Sequence, residues 1–407
     1  MCTIVHMQSP VNTLTAADRR ARIAVSALFF TNGAIFANLV PRYPEIKAAL
    51  GIDNTMYGFA VAAWPVGAIL SGLAAATLIR QMGSARLAVL GTVGTALAAI
   101  GAGVAPTYVL FVACLLFGGA MDAVTDVSQN AQALTVQKRY PRSIFNSFHA
   151  TWSIGAAGGG LMAAGAISIH LPINIHLGIS GITWAVVALI AHRFCIPKEA
   201  ERDLQEATRA ELGTSKVSVK TVLILGALVI IGIAGAVGED SGSSWAALYL
   251  KTELDAPASL AGLGFTALVG TQFIGRATGD RLSDRFGVRA VTRTGALITA
   301  LGMGLALAFP TVPGTLIGFA SIGLGQATII PAAMAEADRI PGLRTGTGLT
   351  IVTWLLRLGS LCAPPIVGAI ADTVGIRYGL LIVPLLSLLV VAVAGVLPRK
   401  SLANPES

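Results

Sequence analysis

The chain has 407 residues, of which 54% are hydrophobic and only 12% charged, with a mean hydropathy of +0.75. A soluble domain carries about 25% charged residues, so this composition excludes an ordinary soluble enzyme and points to a polytopic membrane protein. The four cysteines follow no paired or CxxC spacing, which leaves neither a disulfide scaffold nor a metal site.

Residues 1–20 are polar and lack a signal-peptide core, so the first span is expected to stay as an uncleaved helix. Apolar runs of spanning length then fall at roughly 21–40, 55–79, 87–104, 107–136, 143–167, 175–194, 221–241, 260–280, 290–309, 314–334, 346–371 and 378–397. Each is near the ~20 residues that a bilayer core requires, which gives twelve spans. WAALYL at 245–250 extends the seventh beyond a break expected at Gly242. With the N-terminus inside, Lys and Arg gather in the cytoplasmic segments. Only Arg42, Lys47, Lys251 and Arg377 fall outside, and Arg276 and Arg357 fall within spans. The net charge of +8 therefore reads as a positive-inside bias, with no nucleic-acid partner needed.

The halves echo each other: Gly83 with Gly287, Gly165-Ala166-Ile167 with Gly368-Ala369-Ile370, and Trp152 with Trp354. The predicted fold is an all-α membrane protein in two pseudo-symmetric six-helix bundles. Residues 1–194 and 221–407 form the bundles, joined by a charged, helical cytoplasmic linker at 195–220.

Ionisable groups inside spans are expensive, at about 2.5–3.5 kcal/mol on insertion scales, so each marks a partner or a wet cavity. Asp122 and Asp126 are four apart on one helix face, and Asn130 continues it. Across the Lys138-Arg139-Arg142 loop, His149 sits at the depth of Asn130, which makes Asp126 and His149 a candidate proton and substrate station on neighbouring helices. The alternative is a fixed pair that only braces spans four and five. Arg357 lies near the midplane of span eleven, and Glu239 is the corresponding acid of the second half, closer to the outer surface. Asn32, Gln129, Asn130, Trp152, Gln272, Gln326 and Trp354 are mid-span candidates for lining a cavity, where amides suit a hydroxylated solute and Trp can stack. Arg276 and Asp280, four apart, read as an intrahelical pair feeding a cytoplasmic latch. Pro65, Pro331 and Pro364-Pro365 are expected to kink their helices. The other histidines, His176 among them, read as bystanders at tails and span ends.

Twelve spans with DRLSDRFGVR (280–289) between the eighth and ninth resemble the major facilitator superfamily. Leu282, Asp284, Arg285, Gly287 and Arg289 match that family's loop signature, while Asp280 stands at its leading Gly position. The first-half loop, ATLIRQMGSAR (76–86), keeps Leu78 and Gly83 but has Arg80 in place of the Asp. PRYPEIKAALG (41–51), DVSQNAQ (126–132), SFHATWSIG (147–155), Glu239 with WAALYL, and GRATGDRLSDRFG (275–287) are similar to the YbjJ-like bacterial branch. The resemblance implies a secondary transporter of the inner membrane, both termini cytoplasmic, that moves a small solute by alternating access. Arg276, Asp280, Asp284, Arg285, Gly287 and Arg289 would form its cytoplasmic gate. Proton-coupled uptake of a polar metabolite, a sugar or small organic compound, is expected first; proton-driven efflux of a drug or metabolite is the alternative. A non-transporting receptor or scaffold is the remote third reading. The fifth span lacks the Gly-Pro of many drug antiporters of the family, which weighs against drug export. No phosphate loop, HExxH or GxSxG occurs, so neither an enzyme nor a cofactor is expected. The expected partners are substrate, protons and lipid, with the chain a monomer.

Overall fold

Helix α1 (Ala16–Leu39) starts at a capping box, in which Thr15 and Asp18 satisfy each other's backbone amides. In the computed structural model, which describes residues 14–140, 144–198, 218–340, 343 and 347–399, it is followed by the short α2 (Tyr43–Leu50). The first half continues with α3 (Asn54–Met82), α4 (Ser84–Gly103), α5 (Tyr108–Gln137), α6 (Phe145–Ser168) and α7 (Ile173–His192). The second half comprises α8 (Val219–Thr252), α9 (Ala258–Phe286), α10 (Val288–Ala308), α11 (Val312–Gln326), α12 (Ile329–Asp338), α13 (Thr347–Val374), α14 (Ile376–Gly379) and α15 (Ile382–Val393). No strand occurs among the described residues. Most of the predicted linker, at 199–217, lies outside them.

Eleven stretches among the described residues are long and apolar enough to cross a membrane. The twelfth expected span is α6, whose 24 residues include His149, Trp152 and a run of glycines that dilute its apolar character. It packs on α1 and α9 among the other spans. α8 runs unbroken through Gly242, so the expected break there is absent. The tenth span is divided between α11 and α12 just ahead of Pro331, whose ring displaces the carbonyl four residues back, at Ala327. Pro65, Pro364 and Pro365 instead lie inside continuous helices.

Two six-helix bundles repeat one packing plan. In the first, α5 packs on α3 and α4, α6 on α1, and α7 on α4; in the second, α11 packs on α9 and α10, α13 on α8, and α15 on α10. The equivalence reaches single atoms. A Cβ at Gly119 would overlap the Trp64 carbonyl, and one at Gly323, 204 residues later, would overlap the Leu268 carbonyl, which is the same offset from Trp64. Where Gly67 faces the Leu116 carbonyl, Thr271 stands in the second bundle and donates its hydroxyl to the Ala320 carbonyl at 2.7 Å. Lipid tails give helices no hydrophobic reason to associate, so backbone approach at small residues supplies the packing. Gly83 and Gly287 turn α3 into α4 and α9 into α10 at φ of 84° and 87°, a region closed to most side chains.

The bundles meet along two seams, α3 against α13 and α6 against α9. The end opposite the chain termini is closed by buried aromatic side chains. Tyr57 and Trp245 meet edge to face at 4.9 Å, and the Tyr57 hydroxyl donates to the Ser244 carbonyl at 2.6 Å. Tyr43 and Tyr249 are buried with them.

Candidate functional site

Between the bundles lies a cavity of about 240 Å³. The first bundle contributes Phe36, Tyr43, Trp64, Asp122 and Asp126 to its wall, and the second contributes Asp240, Ser243, Ser244, Arg357 and Ser360. Pro65 and Pro364 also line it, and each removes the amide that would otherwise bond a carbonyl one turn earlier, at Val61 and Ser360. Both of those residues face the same space, so the wall offers backbone acceptors in addition to side chains.

Asp122 is held from two other helices. Trp152 on α6 donates its indole N–H to Asn32 Oδ1 at 2.7 Å, and Asn32 Nδ2 donates to Asp122 Oδ1 at 2.6 Å. The relay fixes the amide's orientation and anchors the carboxylate at the cavity wall. One turn on, Asp126 accepts from Asn130 Nδ2 at 2.9 Å. Despite its mid-helix position, Asp126 is exposed, because it borders the cavity instead of a helix contact. His149 and Arg357 are the basic groups acting on it. α6 touches α5 only sparsely, so Asp126 and His149 are not on directly packed helices. The His149 ring sits edge-on to Phe29 of α1 at 5.1 Å instead. Gln129 is buried beside this group.

The other expected site residues are distributed differently. Arg276 reaches across to Glu239 on α8, with an N–O distance of 3.7 Å, rather than turning along α9 to Asp280. The pair ties two helices of the second bundle and brings Arg276 within electrostatic reach of His149. Gln272 is 1% exposed and neither amide atom finds a hydrogen-bond partner; Gln326 packs against Gly238. Neither lines the cavity. Trp354 is 42% exposed, does not line the cavity, and shares a stripe of α13 with Leu358, Cys362 and Ile366. Asp284 and Arg285 are exposed, with no ion pair recorded for either among the described residues, and Arg285 lies over the Phe286 ring. Arg289 fastens to the Leu397 carbonyl at 2.7 Å beside the Gly287 turn.

A family model for the major facilitator superfamily matches residues 25–271 and 229–407. The chain belongs to the major facilitator superfamily. It is a multi-pass membrane protein of a transporter family rather than an enzyme. The membrane protein MosC of Rhizobium meliloti is 28% identical over 94% of this chain and 91% of its own length. Among solved structures, a variant of the nucleoside transporter NupG superposes with a TM-score of 0.72 at 13% identity, covering 92% of this chain and 99% of that one. The D-xylose-proton symporter gives 0.66 at 16% identity, covering 94% and 99%. At these identities the likeness is one of superfamily fold.

Two groups escaped the sequence reading. His176 is buried: its Nδ1 accepts from Arg42 Nε at 3.3 Å, which leaves Nε2–H to donate to Asn38 Oδ1 at 2.8 Å. It braces α1 against α7 and is not a bystander. Asp372, at the end of α13, accepts from the Asn54 and Thr55 amides at 2.9 and 2.7 Å, so the second bundle's carboxylate grips the first bundle's α3 at its N-terminus. A carboxylate there is worth about 1 kcal/mol. Asp372→Ala is expected to raise the open population of this closed end about fivefold. The readout is faster labelling of a cysteine at Ser244, in a cysteine-free background, by an impermeant reagent applied from that side. Unchanged labelling would remove Asp372 from the gate.

Proposed function

We propose that this chain is a proton-coupled secondary transporter that takes up a polar metabolite, a sugar or small organic compound, by alternating access at the cavity between its bundles. One observation carries the reading: a mid-membrane cavity holds carboxylates from both bundles and an arginine, and is closed at one end by buried aromatic side chains while Asp126 stays exposed. Charges in that position are too costly to keep for packing alone. The names of the neighbours, a nucleoside transporter and a D-xylose-proton symporter, support a polar solute. The basic residues concentrated at the termini end support a cytoplasmic location for it, in the inner membrane. The cavity therefore faces the cytoplasm in this state. The working unit is a monomer, with residues 1–194 and 221–407 rocking about the linker at 195–220.

In this mechanism Asp126 takes the proton, and His149 and Arg357 set how readily it is released. A solute would first be found by thermal stabilisation of the purified protein at two pH values, since bound ligand stabilises by mass action. Asp126→Asn is expected to abolish pH-driven accumulation of that solute in proteoliposomes while retaining counterflow at saturating solute, because exchange needs no net proton release. If Asp126→Asn and His149→Ala both keep wild-type pH dependence, the pair does not couple transport to protons.

A further inference from the structure

The charge balance of the cavity extends this reading to the substrate. Three carboxylates, Asp122, Asp126 and Asp240, line it against a single guanidinium, Arg357. Glu239 and Arg276 face each other at 3.7 Å and cancel. His149, beside Asp126, is the remaining basic group. The wall therefore carries an acidic excess that a cation would offset. The aromatic lining points the same way. Phe36 and Trp64 stand at 5.2 Å with their planes tilted by 56°, and Tyr43 adjoins them, so electron-rich faces and carboxylates border one space.

We propose that the transported solute carries an ammonium group, which sits in this cavity between the carboxylates of the first bundle and Asp240 of the second, against the Phe36–Trp64 wall. This rests on the cavity being the substrate site. The acids come from opposite bundles, so a cation between them draws both walls inward, and binding itself would favour the occluded state. Hydroxyls on the same solute would meet Ser243, Ser244 and Ser360.

The test uses triads matched in size and differing chiefly in charge: glucosamine, glucose and glucuronate; and 4-aminobutanol, 1,4-butanediol and 4-hydroxybutyrate. Each is titrated against the detergent-purified full chain at fixed ionic strength, following thermal stabilisation. The amine should bind about tenfold or more tightly than its neutral partner, the equivalent of one partly desolvated ion pair, and the acid should not bind. Asp122→Asn, Asp126→Asn or Asp240→Asn should erase that preference. A preference for the neutral or acidic member, or no response to either amine, overturns the proposal even if the variants fail to fold. If a neutral member binds and the aspartate variants or Arg357→Gln alter its affinity, the cavity remains the substrate site and only the ammonium assignment falls. Binding of any member that is insensitive to all four substitutions overturns the cavity reading as well.

Discussion

Replacing Arg357 with glutamine is expected to reduce solute uptake about 100-fold or more while leaving the protein folded. Arg357 is the one basic side chain among the residues lining the cavity, and it faces Asp122 and Asp126 from the opposite bundle. Removing it leaves the charge on both carboxylates without its compensation from the second bundle. The protein can respond by holding extra protons on the aspartates, which uncouples the cycle, or by failing to close around a solute. Either response halts net transport. Stability should change little, since Arg357 is only partly buried and lines a cavity instead of a helix contact. Arg357→Lys keeps the charge but loses the planar fork, and should retain a measurable fraction of activity. Counterflow in proteoliposomes, read beside the melting temperature of each variant, decides the matter. Wild-type counterflow by the glutamine variant would show that Arg357 has no part in the transport path.

The cavity charges were legible because hydrocarbon makes them conspicuous. Asp122, Asp126 and Arg357 sit in the middle of apolar runs, and all three line the cavity. The repeat was legible for a related reason: small residues recur at close crossings, and the offset of about 204 reappears in which glycine meets which carbonyl. Partners distant in sequence were not legible. The four-residue spacing of Arg276 and Asp280 suggested a local pair, yet Arg276 meets Glu239 on another helix, and helical periodicity carries no information about what stands opposite. Nothing in the sequence singles out Asp372, since its two amide partners are more than 300 residues away. Asn32 was recognised as a mid-span amide, but its role as the link between Trp152 and Asp122 appears only when three helices are assembled. Trp354 shows the converse limit. An aromatic in an apolar run fits any face of a helix, and only the assembled structure leaves Trp354 off the cavity wall.

Gly119→Ala and Gly165→Ala should move stability in opposite directions, although both place one methyl on a spanning helix. At Gly119 the new Cβ overlaps the Trp64 carbonyl and also lies 2.6 Å from Trp64 carbon and 2.8 Å from its Cα, all of them backbone. A side chain can rotate away from a methyl, but a helix backbone cannot, so α3 and α5 must separate along their whole crossing. Overpacking of this kind costs about 1–3 kcal/mol, and here it also breaks the approach that holds the two helices together. Gly165 has nothing within 4 Å of its Cβ position, so alanine there adds only helix propensity, worth up to about 1 kcal/mol in the stabilising direction. Gly323→Ala should repeat the loss seen at Gly119, since its Cβ meets the Leu268 carbonyl at the equivalent crossing. Thermal unfolding in detergent and the monodisperse fraction on gel filtration would measure all three variants. A matching drop at positions 119 and 323, with none at 165, is the expected pattern, because the same close crossing recurs in each bundle. Equal behaviour of the three would mean that the helices tolerate separation, and that close backbone contact is not what holds each bundle together.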